Sequence, residues 1–175
     1  MRALLITVLS LFALLALSMA ALADDASHGM APGAGPDPLA PLNSMLGNWE
    51  GSGTSPFGPY TCKITVTRNG AWVLFVNHIY AGGQEVETPT QIIGTNPDGT
   101  FSCYAFDSSG AAKFDGTVTA DQGHFAFQDG ETHGNYDWTF NADGSIHGTY
   151  SIHFAHPAPG WPADFAIDET DRKVS

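Results

Sequence analysis

The sequence predicts an all-β fold: an antiparallel up-and-down β-barrel of about nine or ten strands, with a short helical turn before the first. Three observations predict it. Apolar and polar residues alternate with period two in short runs from Trp49 to Ile167. Most runs end in turns rich in Gly, Asn, Asp or Pro. No convincing helical repeat of ten residues follows Trp49. A meander of hairpins leaves two bare edges, and closure into a barrel removes them. A sandwich is the alternative arrangement.

The elements follow in order. Residues 1–23 read as a signal peptide. Met1-Arg2 is basic, residues 3–20 are apolar except Thr7, Ser10 and Ser18, and Ala21-Leu22-Ala23 is a small-x-small cleavage site. The expected location is periplasmic or secreted, with no stable membrane insertion after cleavage. An uncleaved anchor is the rival reading. Residues 24–36 (DDASHGMAPGAGP) lack the apolar surface to offset their ordering entropy and read as a disordered linker. Residues 37–175 read as one barrel domain. Asp37 is placed to cap a helical turn with Pro38 at its first position, and Leu39, Leu42, Met45 and Leu46 fall at helical spacing.

Leu46-Gly47-Asn48-Trp49-Glu50-Gly51 opens the strands. Cys62, Ile64 and Val66 alternate with Lys63, Thr65 and Thr67, and Asn69-Gly70 signals a hairpin. Residues 72–80 (WVLFVNHIY) are apolar on both faces, which suits a strand between a core or cavity and a cover. Further strands are expected at residues 90–95 and 101–106, around Phe114 and Phe125, and at residues 136–140 and 146–154. In the last strand Phe165 and Ile167 alternate with Asp164 and Asp168.

Eighteen acidic residues face six basic ones, for a net charge of −12. That balance excludes nucleic acid and anionic lipid as partners. The acids are scattered, mostly in turns, and read as solvated charge. An exported chain is free to join Cys62 to Cys103, but in a simple meander they lie three strands apart, which argues against a disulfide. Two small buried apolar residues are the other reading.

The seven histidines suggest metal, but His147 and His153 are roughly 20 Å apart along one strand. Their face also carries Thr149 and Ser151 and reads as solvated. His153 with His156 across a bend is the residual metal alternative. His78 shares a face with Trp72, Leu74, Val76 and Tyr80. If that face lines the barrel, a His and a Tyr project into an apolar cavity, the usual make-up of a ligand site. Trp138 and Tyr150 complete the expected pocket. No nucleophile elbow, zinc-protease helix or phosphate loop is present in the sequence.

Gly47-Asn48-Trp49 on a first strand after a helical turn resembles the signature of lipocalins in the wider calycin sense. The likeness is closer to a family of bacterial lipocalin-like secreted proteins of unknown function. It is carried by Leu46 to Gly51, by the turns Asn96 to Gly99 and Asp107 to Gly110, and by the acidic strand and basic pair from Asp168 to Lys173. It covers about residues 42–173. The resemblance implies a barrel able to hold a small apolar molecule, with Arg172 over the indole of Trp49 as a structural closure. Some small barrels with a similar start bind haem through a late His. Here His153 falls on the polar face, so no cofactor is expected.

The expected function is therefore binding, as carrier or sensor, of a small, mostly apolar molecule. The alternatives are an isomerase or hydrolase using His78 and Tyr80, or a filled structural or stress-related barrel. The sequence leaves the oligomeric state open.

Overall fold

A computed structural model describes residues 36–108 and 110–174. The expected signal peptide and all but the last residue of the expected linker lie outside the described residues. A 3₁₀ helix, Ala40–Met45, precedes eleven strands. They are β1 (Gly47–Ser55), β2 (Gly58–Asn69), β3 (Trp72–Ala81), β4 (Gln84–Glu87), β5 (Thr90–Thr95) and β6 (Phe101–Asp107). Then come β7 (Gly110–Val118), β8 (Gln122–Asp129), β9 (Thr132–Phe140), β10 (Ile146–His153) and β11 (Asp164–Val174).

Each long strand pairs antiparallel with the next, and β1 pairs with β11, so ten strands close an up-and-down barrel. β4 is the additional strand. It pairs with the end of β3 across a register shift at Ile79/Tyr80, while β5 pairs with residues 72–76 of β3. Between them the Asn77 N–H donates to the Pro89 carbonyl at 3.0 Å. Proline has no N–H to return, so the ladder breaks there. The Asn69-Gly70 signal does turn the chain, but Asn69 already pairs with Trp72. Only Gly70 has positive φ (58°), the requirement of a II′ hairpin and not of the I′ turn that Asn-Gly usually makes.

The 3₁₀ helix plugs one end of the barrel. Leu39, Leu42 and Met45 are buried there with Trp49, Val66, Phe101, Phe125 and Trp138 in one apolar cluster. The helix begins later than Asp37-Pro38 suggests, because those residues form the turn leading into it. Asp37 still binds the turn, accepting the Leu39 N–H through Oδ1. Arg68, at the end of β2, grips both oxygens of Asp37, and this guanidinium holds the carboxyl down at about 2. The indole N–H of Trp49 donates to the Met45 carbonyl at 2.7 Å. It satisfies a carbonyl that the helix end would otherwise leave orphaned.

The barrel closure differs from the one the lipocalin likeness implies. Arg172 faces outward, 66% exposed, and pairs with Asp143 at 2.9 Å. Lys173, one residue on, lies on the opposite side of the strand and, still exposed, reaches over the plugged end, with Nζ 5.5 Å from the Trp49 ring centroid and 3.3 Å from the Ser44 carbonyl. The reason is parity: successive strand residues face opposite sides, and Trp49 pairs with Lys173 while Arg172 pairs with Glu50.

Candidate ligand cavity

The apolar cluster fills the plugged half of the barrel. Toward the other end the interior opens into a cavity of about 350 Å³. Its walls include Ala105, Ala112, Phe127, Tyr136, Tyr150 and Ile167. The small side chains of Ala105 and Ala112, paired across β6 and β7, leave part of the space unfilled. Aromatic rings crowd the mouth. Trp161, from the loop before β11, stacks on Phe165 at 5.6 Å and meets Phe154 edge-on at 5.9 Å. Phe57, from the β1–β2 turn, meets Trp161 edge-on at 5.2 Å.

One side of the cavity is polar. β11 sends Phe165, Ile167, Glu169 and Asp171 inward, and β2 sends Tyr60 and Cys62. The Tyr60 hydroxyl donates to Glu169 Oε2 at 2.6 Å. The Cys62 thiol donates to Asp171 Oδ1 at 3.3 Å. One oxygen of each carboxyl group and Cys62 Sγ lie within 4.8 Å of one another. Among the described residues no Lys or Arg pairs with either acid, since Lys173 is engaged at Trp49 and Ser44.

The intervening strand, β1, carries glycines where this cluster sits. A Cβ on Gly51 would lie 1.8 Å from Asp171 Oδ1 and 2.9 Å from Cys62 Sγ. One on Gly53 would lie 2.5 Å from the Tyr60 hydroxyl. The four polar side chains thus reach each other across a strand that has no side chains in the way. Gly51→Ala is expected to cost about 1–3 kcal/mol through overpacking. Gly148→Ala is the control: the nearest atom to its Cβ would be 3.9 Å away, and a change within about 0.5 kcal/mol is expected. Equal urea midpoints for the two variants would refute the packing argument.

The electrostatics follow from burial. Desolvation first, and then the charge of Glu169, push the Asp171 carboxyl up to about 7. Desolvation also raises the Cys62 thiol and the Tyr60 phenol well above their ordinary ranges, with the Glu169 charge adding to both. The Tyr136 and Tyr150 phenols rise for the same first reason, and burial alone pushes the Cys103 thiol up to about 12. The thiols and phenols keep their protons at neutral pH and can donate hydrogen bonds, while the Asp171 carboxyl is divided there between its two forms.

Most of the pocket that the sequence suggested is placed elsewhere. Trp72, Leu74, Val76, His78 and Tyr80 take the outer face of β3, while Phe75, Asn77 and Ile79 line the cavity. Trp72 is 44% exposed and lies over Gly94, with its ring edge-on to Tyr104. His78 pairs with Glu85 of β4 at 3.1 Å. The physical reason is that β3 is apolar on both faces, so alternation gave no contrast to fix its phase. Trp138 is buried in the plugged half, away from the cavity wall, and Tyr150 does line the cavity. Cys62 and Cys103 are both buried free thiols, not a disulfide. His147 and His153 face outward against Asp168 and Asp164. Among the described residues the only group with metal-ligand spacing is Cys62, Glu169 and Asp171, and it contains no histidine.

Sequence reasoning missed the Tyr60–Cys62–Glu169–Asp171 cluster. The signal was present. Counting by twos from Phe165 through Ile167 reaches Glu169 and Asp171 on the apolar face, and Tyr60 precedes Cys62, Ile64 and Val66 by the same count. No protein-family model matches the chain, and no curated protein matches it either.

Proposed function

We propose that this protein is a small-molecule-binding barrel of lipocalin-like type, working outside the cytoplasm as a carrier or sensor. The observation that carries the reading is the cavity: apolar and aromatic walls, one polar side, and a mouth ringed by Phe154, Trp161 and Phe165. Its volume of about 350 Å³ falls at the lower end of the roughly 300–1,000 Å³ usual for small-molecule sites. Apolar ligand surface buried there contributes about 25 cal/mol per Å². The signal-like N-terminus supports export. The enzyme alternative rested on His78 and Tyr80, and their place on the outer face takes that support away.

The test uses N-phenyl-1-naphthylamine, a neutral apolar dye that brightens out of water. Wild-type protein is expected to bind it, and Ala105→Phe, which fills the cavity from β6, is expected to weaken binding by about tenfold or more while unfolding at the same or a higher urea concentration. Equal binding by a folded Ala105→Phe would place the dye elsewhere and overturn the reading. Native mass spectrometry of protein from its own host identifies the cargo directly.

A further inference from the structure

We infer that the ligand is an amine: a protonated nitrogen held by Glu169 and Asp171, with an aromatic or aliphatic body lying in the rest of the cavity. The inference rests on the binding reading above and assigns the chemistry of its polar side.

The first observation is a surplus of acceptors. Glu169 and Asp171 project side by side into the barrel; among the described residues Tyr60 and Cys62 donate to them, and the proton that Asp171 keeps lies between the two acids. Two carboxyl groups offer more lone pairs than these three hydrogens can fill. A second, independent observation lies on a different strand. Asn77, a half-buried residue, lines the same cavity from β3, and among the described residues its buried Oδ1 has no hydrogen-bond partner. Asn77 pairs across the ladder with Ile64, the next inward residue after Cys62 on β2. A buried acceptor left unpaired is costly, and a donor-bearing ligand would remove that cost. An ammonium group brings three donors and no acceptor.

Charge points to the same ligand. A carboxylate placed in an apolar interior without a cation is unfavourable, and among the described residues no side-chain cation reaches this pair. A ligand cation supplies the missing charge. The aromatic lining suits it too, since Phe127, Tyr136 and Tyr150 line the same cavity and a ring face attracts a cation. A carboxylate ligand would meet like charge. A bare metal ion would use the cluster and leave the apolar cavity without purpose.

Binding exchanges one proton for one cation. The Asp171 proton leaves to solvent as the ammonium arrives, so affinity falls as acid restores that proton. The groups facing Asp171 are Glu169 on its own strand, Tyr60 and Cys62 on β2 and Tyr136 on β9. β1 presents only Gly51 and Gly53 there. Lys173 is the nearest cation on the same face of β11, and it is held at the plug.

The test is calorimetric titration with three compounds sharing one bicyclic body: 2-(1-naphthyl)ethylamine, 2-(1-naphthyl)ethanol and 3-(1-naphthyl)propionate. At pH 8 the amine is expected to bind at least about tenfold more tightly than the alcohol, and the carboxylate most weakly. The preference for amine over alcohol should collapse at pH 5.5, and also in Glu169→Gln/Asp171→Asn, whose folding is checked by its urea transition. The heat of amine binding should vary with the ionisation heat of the buffer, reporting the released proton. Equal affinity for amine and alcohol at pH 8 overturns the amine inference and leaves the binding reading standing. Failure of all three to bind overturns both. Tight binding of zinc alone, with the amine excluded by it, would reassign the cluster as a metal site and overturn the inference.

Discussion

Trp49→Ala is expected to remove about 3–5 kcal/mol of stability, much of the roughly 5–15 kcal/mol a domain of this size possesses. Three losses combine. The indole is 3% exposed and fills the plugged end beside Phe140, 6.3 Å away. Its N–H is the donor to the Met45 carbonyl, so the plug loses its tie to the barrel wall. Lys173 loses the ring beneath its ammonium. Trp49→Phe separates these: it keeps most of the apolar contact, loses the N–H, and is expected to cost about 1–2 kcal/mol, close to one buried hydrogen bond. Urea unfolding followed by far-ultraviolet circular dichroism reads both. A loss below about 1 kcal/mol for Trp49→Ala would show that the plug contributes little.

Asp171→Asn is expected to abolish a fall in stability that the wild-type protein shows between about pH 4 and pH 7. The direction follows from proton counting. The Asp171 carboxyl is raised from 3.8 to about 7 by burial and by Glu169. In that interval the folded protein keeps a proton that the unfolded chain has released, so raising the pH favours unfolding. Stability from this group is full below the unfolded value and lost as pH rises through about 7. The loss is on the order of a few kcal/mol. Asp37 and Asp143 act oppositely. Arg68 holds Asp37 at about 2, and Ser145, with Arg172 beside it, holds Asp143 there too, so their contribution is lost only as pH falls below about 4. Wild type should therefore be most stable near about pH 4–5. The asparagine variant should match it there and exceed it at pH 8. Parallel urea midpoints for the two proteins from pH 5 to pH 8 would overturn the assignment.

The strands and the closure were legible because two independent signals agreed. Period-two alternation marked each run, and Gly, Asn and Asp turns separated them, as at Asn96 to Gly99 and Asn141 to Gly144. The phase of β3 was not legible. Both faces are apolar, and its two polar residues, Asn77 and His78, point opposite ways, so His78 drew attention to the wrong side. The acids on β11 were hidden by a sound rule, that charge goes to solvent. The rule fails on β11, where Tyr60 and Cys62 supply hydrogen bonds to the two inward acids. Arg172 and Lys173 differ by one position, and only the register against Trp49 decides which reaches the indole. Nothing in the sequence around Gly51 and Gly53 marks them as the place where Tyr60, Cys62, Glu169 and Asp171 meet.

The pairing of β1 with β11 has a consequence for folding order. Tyr60 and Glu169 are 109 residues apart in the chain, and so are Cys62 and Asp171. Contacts of such long range form late and slow the search for the native state. The Tyr60–Cys62–Glu169–Asp171 cluster is therefore assembled at the step that zips the last strand onto the first. An unzipped intermediate keeps Glu169 and Asp171 side by side on β11 but leaves them without the hydrogen bonds from Tyr60 and Cys62. A ligand that engages both strands adds its binding free energy only to the closed barrel. Closing the barrel and completing the polar cluster are thus one event.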